Sequence, residues 1–369
     1  MATFTTFAVG YLARPLAGIV FGHFGDKYGR KITFTYSILI MAMSTFAIGL
    51  LPSDESIGAF AAVLLILFRI LQGLCIGGEI PGAITYISEF WPQYKSFSNS
   101  VVFFFLLNGT GVGFAFMALL THYSTNEQLI DWGWRLPFLL GGVFGLIAYK
   151  LRQQLVELPS FSAYLSAEHK LPIFFVFKKQ IRALTFSCIL TAFGSMPLVM
   201  FFIFLPSYLT KIIKHDIADI DLKNSLAILF ASCVCVLIGF VSDHYQVKRK
   251  KLLYAYIFST LILAVPIFWI YNHHMNWSFI ALFFSAIILA LNWATIPGIL
   301  ASLFSSKVRY SAIGFSYSVG IGIVSGITPV LLVAGMNVTH NTMLPAYVLC
   351  IAALSCLAAM VLLKPAIND

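Results

Sequence analysis

Long uncharged apolar stretches recur down the chain, at 4–21, 32–51, 58–80 (extending toward Phe90), 97–121, 132–149, 183–209, 224–242, 252–271, 277–300, 311–335 and 342–363. Each is near the ~20 residues that carry a helix across a bilayer core. A helix satisfies its own backbone polar groups, which matters where no water is present to do so. The pattern therefore predicts eleven membrane crossings. Pro197, Pro206, Pro297 and Pro329 fall inside these stretches and do not argue against helix, because proline is common in membrane helices. The first stretch lacks a basic leader and runs straight into a charged turn, so no cleavable signal peptide is expected.

Composition removes the other classes. The 369 residues are 60% hydrophobic and only 10% charged, whereas a soluble domain is about 25% charged. An aromatic content of 15% excludes a disordered chain. The six cysteines, Cys75, Cys188, Cys233, Cys235, Cys350 and Cys356, all lie in apolar stretches without metal-ligand spacing. They read as small packing residues, and neither a metal nor an organic cofactor is expected.

Charge placement gives an orientation. Alternate connections hold Lys27, Arg30 and Lys31; Lys95; Lys150, Arg152, Lys170, Lys178, Lys179 and Arg182; Lys248, Arg249, Lys250 and Lys251; Lys307 and Arg309; and Lys364. The opposite connections hold Lys211, Lys214 and Lys223, offset by Asp216, Asp219 and Asp221, and otherwise carry Asp54, Glu55, Glu127 and Asp131. By the positive-inside rule the basic side, including the C-terminus, is cytoplasmic. The net charge of +9 then reflects topology rather than a nucleic-acid partner.

A repeat lies at two of the basic turns. Gly22-His23-Phe24-Gly25-Asp26-Lys27-Tyr28-Gly29-Arg30-Lys31 follows the first crossing. Gly239-Phe240-Val241-Ser242-Asp243-His244-Tyr245-Gln246-Val247-Lys248 follows the seventh. A shift of 217 lays Gly22, Gly25, Asp26 and Lys31 on Gly239, Ser242, Asp243 and Lys248, with Val247 opposite Arg30. Small residues let helices approach closely, and an aspartate can accept from a helix N-terminus. Two similar turns imply two similar halves, the plan of many secondary transporters. The second copy follows two crossings of its half and the first follows one. A helix preceding Thr3 is therefore expected in a twelve-crossing parent, which this chain lacks.

From these residues the sequence resembles the major facilitator superfamily, and within it the metabolite:H+ symporter family of proline/betaine, α-ketoglutarate, citrate and shikimate carriers. Arg14-Pro15-Leu16, Gly18, Phe21-Gly22, Gly25-Asp26-Lys27 and Gly29-Arg30-Lys31 are similar to its opening signature. Arg69, Gln72-Gly73 and Gly77-Gly78-Glu79 resemble its fourth-helix motif. Trp132-Gly133-Trp134-Arg135-Leu136-Pro137-Phe138 and Leu155-Val156-Glu157-Leu158-Pro159-Ser160-Phe161 resemble the start and end of its sixth helix. Leu303-Phe304, Val308-Arg309-Tyr310, Tyr317 and Gly326-Ile327-Thr328-Pro329 resemble the tenth-to-eleventh segment. The chain departs from the pattern at Ser96, where an arginine usually follows the acidic residue equivalent to Glu89, and at Ser318, where asparagine is usual.

The resemblance implies an all-α polytopic membrane protein with the major facilitator fold and two helix bundles, showing eleven of twelve helices. Residues 1–150 form the N-terminal bundle, 151–182 a cytoplasmic central loop, and 183–369 the C-terminal bundle. It further implies a monomeric carrier in a bacterial-type cytoplasmic membrane, with a small metabolite as partner, membrane lipid around it and the proton gradient in place of a cofactor. Asp26, Lys27, Arg30, Lys31, Glu89 and Asp243 are its expected gating residues.

Three charges sit clearly within the apolar stretches, Arg14, Arg69 and Glu79, while Arg135 stands near the start of its own. A charge at membrane depth costs roughly 2.5–3.5 kcal/mol on insertion scales, so such groups face a bundle interior or a wet cavity. Gln72 and Glu79 share a helix face, with Arg69 about 60–80° away. Arg69 and Gln72 are candidates for a substrate carboxylate, which a guanidinium holds through two parallel hydrogen bonds. Glu79 is the candidate proton carrier. A static polar network is the alternative for both charges, and Arg14 reads as structural. Asn292 and the cation-accepting face of Trp293 are further binding candidates. Gly109, Gly111 and Gly113 suggest close helix contact.

The expected function is thus proton-coupled symport of a carboxylate-bearing or zwitterionic metabolite by alternating access. A transport-inactive truncated carrier is the second reading. An intramembrane enzyme is the third, but no nucleophile–base pair or metal cluster stands at membrane depth, with His273 and His274 in an outer loop. The chain ends at Asp369 without heptads, against a tail of the coiled-coil type.

Overall fold

The computed structural model describes residues 2–52, 54–157, 172–214 and 220–367. Leu158 to Phe161, Lys170, Asp216, Asp219 and Asp369 lie outside the described residues. Among the described residues twelve helices carry the fold. They are α1 (Ala2–Tyr28), α2 (Arg30–Gly49), α3 (Ala59–Phe90), α4 (Lys95–Tyr123), α5 (Arg135–Gln153), α6 (Pro172–Lys179), α7 (Ile181–Leu198), α8 (Ile220–His244), α9 (Arg249–His273), α10 (Ser278–Leu303), α11 (Arg309–Thr339) and α12 (Leu344–Leu363). No strand occurs among the described residues. Apart from the short α6, the helices follow the eleven apolar stretches in order. Among the described residues ten, all but α1 and α6, are long and apolar enough to cross a membrane, one fewer than the eleven crossings expected; α1, at 27 residues, reaches about 40 Å.

The helices overrun their apolar stretches into the motifs. α1 continues through Asp26 to Tyr28 and stops at Gly29, whose φ of 115° is open to glycine and strained for other residues. α3 runs on through Pro81 to Phe90, which carries Glu79 and Glu89 on one continuous rod. Wider π-helical turns interrupt α11 at Ser318–Ser325 and extend α7 at Val199–Ile203, just after Pro197. Such turns let a long helix change direction without exposing its backbone.

Two compact units result. One comprises 1–89, 109–179 and 306–318; the other comprises 90–108, 180–305 and 319–369. In the first unit α2 lies along α5, and α1 lies along the opening segment Arg309–Tyr317 of α11. In the second, α10 is the central rod, packed by α7, α8 and α9, with α12 against α7 and α9. Phe193 and Tyr256 stack there with ring centroids 4.5 Å apart.

Glycine sets the closest helix contacts. A Cβ on Gly18 would collide with the backbone of Gly314, and one on Gly22 would lie 2.5 Å from Cα of Ser311. The repeat copy behaves alike: a Cβ on Gly239 would meet Ser100 of α4. Gly109, Gly111 and Gly113 differ from expectation, since nothing lies within 4 Å of a Cβ built on them. They belong to no tight crossing.

The repeat register also shifts. Asp26 and Arg30 are four residues apart, whereas Asp243 precedes the first residue of α9, Arg249, by six. Gln246, with a left-handed φ of 52°, turns the longer loop. The structural counterpart of Arg30 is thus Arg249, not Val247: both arginines open a helix and both are buried.

The α1–α11 contact predicts a steep steric penalty. Gly18→Val should lower the melting temperature of the detergent-solubilised protein by an amount matching overpacking of about 1–3 kcal/mol or more. Gly111→Ala should change stability by less than about 0.5 kcal/mol. Thermal unfolding of the two variants side by side reads the difference, and equal melting points would remove Gly18 from the contact.

Candidate functional site

The first unit holds a buried charge cluster built from three distant parts of the sequence. Arg30 Nε lies 2.9 Å from Glu89 Oε2, and its Nη2 lies 3.9 Å from Asp26 Oδ1. Arg309 Nη1 donates to the other oxygen of Glu89, and Arg30 Nη2 donates to the Ser306 carbonyl. The side chains of Asp26, Arg30 and Glu89 are at most 4% exposed, and that of Arg309 is 12% exposed. Two acids and two guanidinium groups cancel in charge, which makes their burial tolerable. Breaking such a buried set by removing one member costs about 3–5 kcal/mol.

Asp26 does more than balance charge. Its Oδ1 accepts from the Tyr310 backbone N–H at 3.2 Å and its Oδ2 from Ser311 N–H at 2.8 Å. The carboxylate thus occupies the N-terminus of α11, where the helix dipole and unpaired amides favour an anion. Tyr310 completes the tie by donating its hydroxyl to the Gly78 carbonyl of α3 at 2.8 Å. In the second unit Asp243 Oδ2 accepts from the Phe97 N–H of α4 at 2.8 Å. Each repeat aspartate therefore holds the first turn of one long helix, α11 or α4.

Lys27 and Lys31 stand outside this cluster. Lys27 is exposed with its ammonium 5.1 Å from the Tyr28 ring centroid. Lys31 contributes its backbone N–H to Glu157 Oε2, and Arg30 contributes its own to Glu157 Oε1, both at 3.2 Å. Glu157 thereby caps α2. Nothing in its spacing announces that role; only its place in the motif at the end of the sixth helix marks the segment. Arg309, a basic connection residue that also belongs to the tenth-to-eleventh motif, is half of the clamp on Glu89. Ser96, the departure from the family pattern, takes no part: Glu89 finds both cations elsewhere.

The polar stripe of α3 divides into two parts. Arg69 Nη1 donates to Gln72 Oε1 at 3.2 Å, and Gln72 Nε2 donates to Thr45 Oγ1 of α2 at 2.7 Å. The Arg69 guanidinium also lies 5.5 Å from the Phe138 ring centroid of α5. The guanidinium is half-buried and fixed in direction by an amide and an aromatic face. Two turns on, Glu79 Oε1 pairs with Arg152 Nη2 at 2.7 Å. Arg152 stacks 3.7 Å over the Phe34 ring and donates to the Phe34 carbonyl at 3.1 Å. Its charge placement suggested a loop residue; it is in the last turn of α5, folded back into the bundle to meet Glu79.

Asn292 and Trp293 sit in α10 within the second unit. Asn292 is 1% exposed and donates Nδ2 to the Gly194 carbonyl of α7. Trp293 is buried and stacks on Phe103 of α4 at 6.2 Å. The structure joins Asp26, Arg30 and Glu89, keeps Arg69 with Gln72, and holds Asn292, Trp293 and Asp243 in the other unit.

Comparison with known proteins identifies the family and the fold. The family model of the Major Facilitator Superfamily fits residues 2–329. A candidate proline/betaine transporter of Staphylococcus aureus (strain COL) is 33% identical over 357 residues, covering 95% of this chain and 76% of that protein. The proline/betaine transporter of Escherichia coli (strain K12) is 30% identical over 382 residues, covering 100% and 76%. The proton:xylose symporter XylE bound to 6-bromo-6-deoxy-D-glucose superposes with a TM-score of 0.74 at 14% identity, covering 98% of this chain and 86% of that one. Its partially occluded inward-open form gives 0.71. With a family model spanning most of its length and relatives that are transporters rather than enzymes, this multi-pass membrane chain belongs to the Major Facilitator Superfamily.

Proposed function

We propose that this chain is a secondary transporter that couples proton entry to uptake of a small zwitterionic or carboxylate-bearing solute, of the proline or betaine kind that its relatives are named for. The observation that carries this reading is the Arg69–Gln72–Thr45 relay. An arginine held half-buried by an amide and an aromatic ring is already oriented, so it binds a carboxylate without first losing side-chain freedom. Gln72 directs the guanidinium and adds an amide to the same polar surface. Within the second unit, Asn292 and Trp293 keep α10 in register with α7 and α4.

Glu79 and Arg152 are the proposed proton site. Glu79 Oε1 and Arg152 Nη2 stand 2.7 Å apart, so a proton and the guanidinium compete for the same carboxylate oxygen. Proton loading then coincides with release of Arg152 toward Phe34. Asp26, Arg30 and Glu89, with Arg309, form one gate on the basic-loop side, and Asp243 with α4 forms its repeat. Lys27 and Lys31 serve this side as positive-inside charges. Alternating access follows if the two gates loosen as the solute and proton bind. Basic loops and the C-terminus face the cytoplasm, the protein acts as a monomer in the cytoplasmic membrane, and the proton gradient is the only energy source.

Reconstituted vesicles given an inward proton gradient should accumulate radiolabelled proline or betaine, and a protonophore should abolish the accumulation. Absence of gradient-driven uptake for both solutes, and for citrate, α-ketoglutarate and shikimate, would eliminate symport. Arg69→Lys keeps the charge but loses the paired geometry, so KM should rise about tenfold or more; an unchanged KM would free Arg69 from binding. Glu79→Gln should abolish gradient-driven uptake while leaving solute counterflow in place. Loss of both together would make Glu79 a structural residue.

A further inference from the structure

The short helix α6 has no part in the roles assigned above, yet its two faces are sharply different. Ile173 and Val176 are 4% and 0% exposed, and they face α1 and the opening segment of α11. Phe177 joins them with its ring edge-on to Phe315, centroids 5.1 Å apart at 75°. One flank of α6 is therefore packed on the two helices that Asp26 ties together. Phe174 is 65% exposed, and Lys178 follows one turn later on the same side with Lys179 beside it. From Pro172 to Arg182 the chain carries three cations and no acid.

The surroundings say what meets the outer flank. α6 is followed after one residue by the membrane-crossing helix α7, so it lies at the boundary between bilayer and water. That is the side where the basic loops gather. A helix with an exposed aromatic ring beside lysines suits the headgroup layer of an acidic membrane: the ring enters the acyl boundary and the ammonium groups stay with the phosphates.

We propose that α6 is a clasp governed by anionic lipid. Its Ile173, Val176 and Phe177 flank grips α1 and the start of α11, and its Phe174, Lys178 and Lys179 flank docks on acidic headgroups. Acidic lipid holds α6 in place, and α6 in turn holds the Asp26-capped turn shut. This rests on reading that turn as a gate, but it needs no particular solute.

The test is hydrogen exchange on the full-length protein, reconstituted in phosphatidylcholine vesicles with or without phosphatidylglycerol. Phosphatidylglycerol should slow amide exchange at 173–179 and at 309–317 together, by up to about thirtyfold for two lysines at an anionic surface. The K178Q/K179Q variant should lose this slowing at both segments, K178R/K179R should keep it, and high salt should erase it. Equal exchange in the two lipids would overturn the proposal. So would slowing at 173–179 that never reaches 309–317, or slowing that survives K178Q/K179Q. Because no transport is measured, loss of symport with lipid-dependent exchange intact would count against the solute reading and leave the clasp standing.

Discussion

A carboxylate placed at the first turn of a long helix is the interaction from which the rest of this structure follows. Asp26 meets the amides of Tyr310 and Ser311, and Asp243 meets that of Phe97. Away from water a helix N-terminus and a carboxylate are each costly alone, and each removes the other's penalty. The glycines beside them, Gly22 and Gly239, bring the helix backbones close enough for the bond to form. Asp26 then needs Arg30, Arg30 needs Glu89, and Glu89 recruits Arg309. A neutral, closed set of charges is the only arrangement that low-dielectric surroundings accept at modest cost.

The same accounting explains why polar groups along α3 come in pairs. Arg69 is satisfied by Gln72 and the face of Phe138, and Glu79 by Arg152. Such pairs are held by partners that can be exchanged, which is what a carrier requires. Under the proposed transport, the Arg69 guanidinium would meet a solute carboxylate with Gln72 beside it, and a proton would take Arg152's place on Glu79.

The chain division in the two long helices is consistent with this. The first turns of α4 and α11 are each capped by a repeat aspartate, and each helix is shared between the two compact units. In α11 the change of unit falls at the π-helical stretch Ser318–Ser325. In α4 it falls at Gly109, the start of three glycines with open space beside them. Wide turns and bare backbone are where a helix bends most easily.

The sequence by itself determined the order of the long helices, because the apolar stretches had to span a bilayer and nothing but helix satisfies the backbone there. It also determined the repeat, since small residues and an aspartate at a helix end have few other uses. Which groups pair was decided only in three dimensions. Glu89 meets Arg309 across 220 residues and Arg30 across 59, Glu79 meets Arg152 across 73, and Glu157 caps α2 from 127 residues away. Loop charges look alike along the chain, so Arg152 and Arg309 read as topology signals until folding turned them inward. The register of the second repeat likewise depended on where α9 began, and that was set by a left-handed turn at Gln246. Hydrophobic spacing is a local property and survives in one dimension; partner choice among like charges is set by tertiary packing and does not.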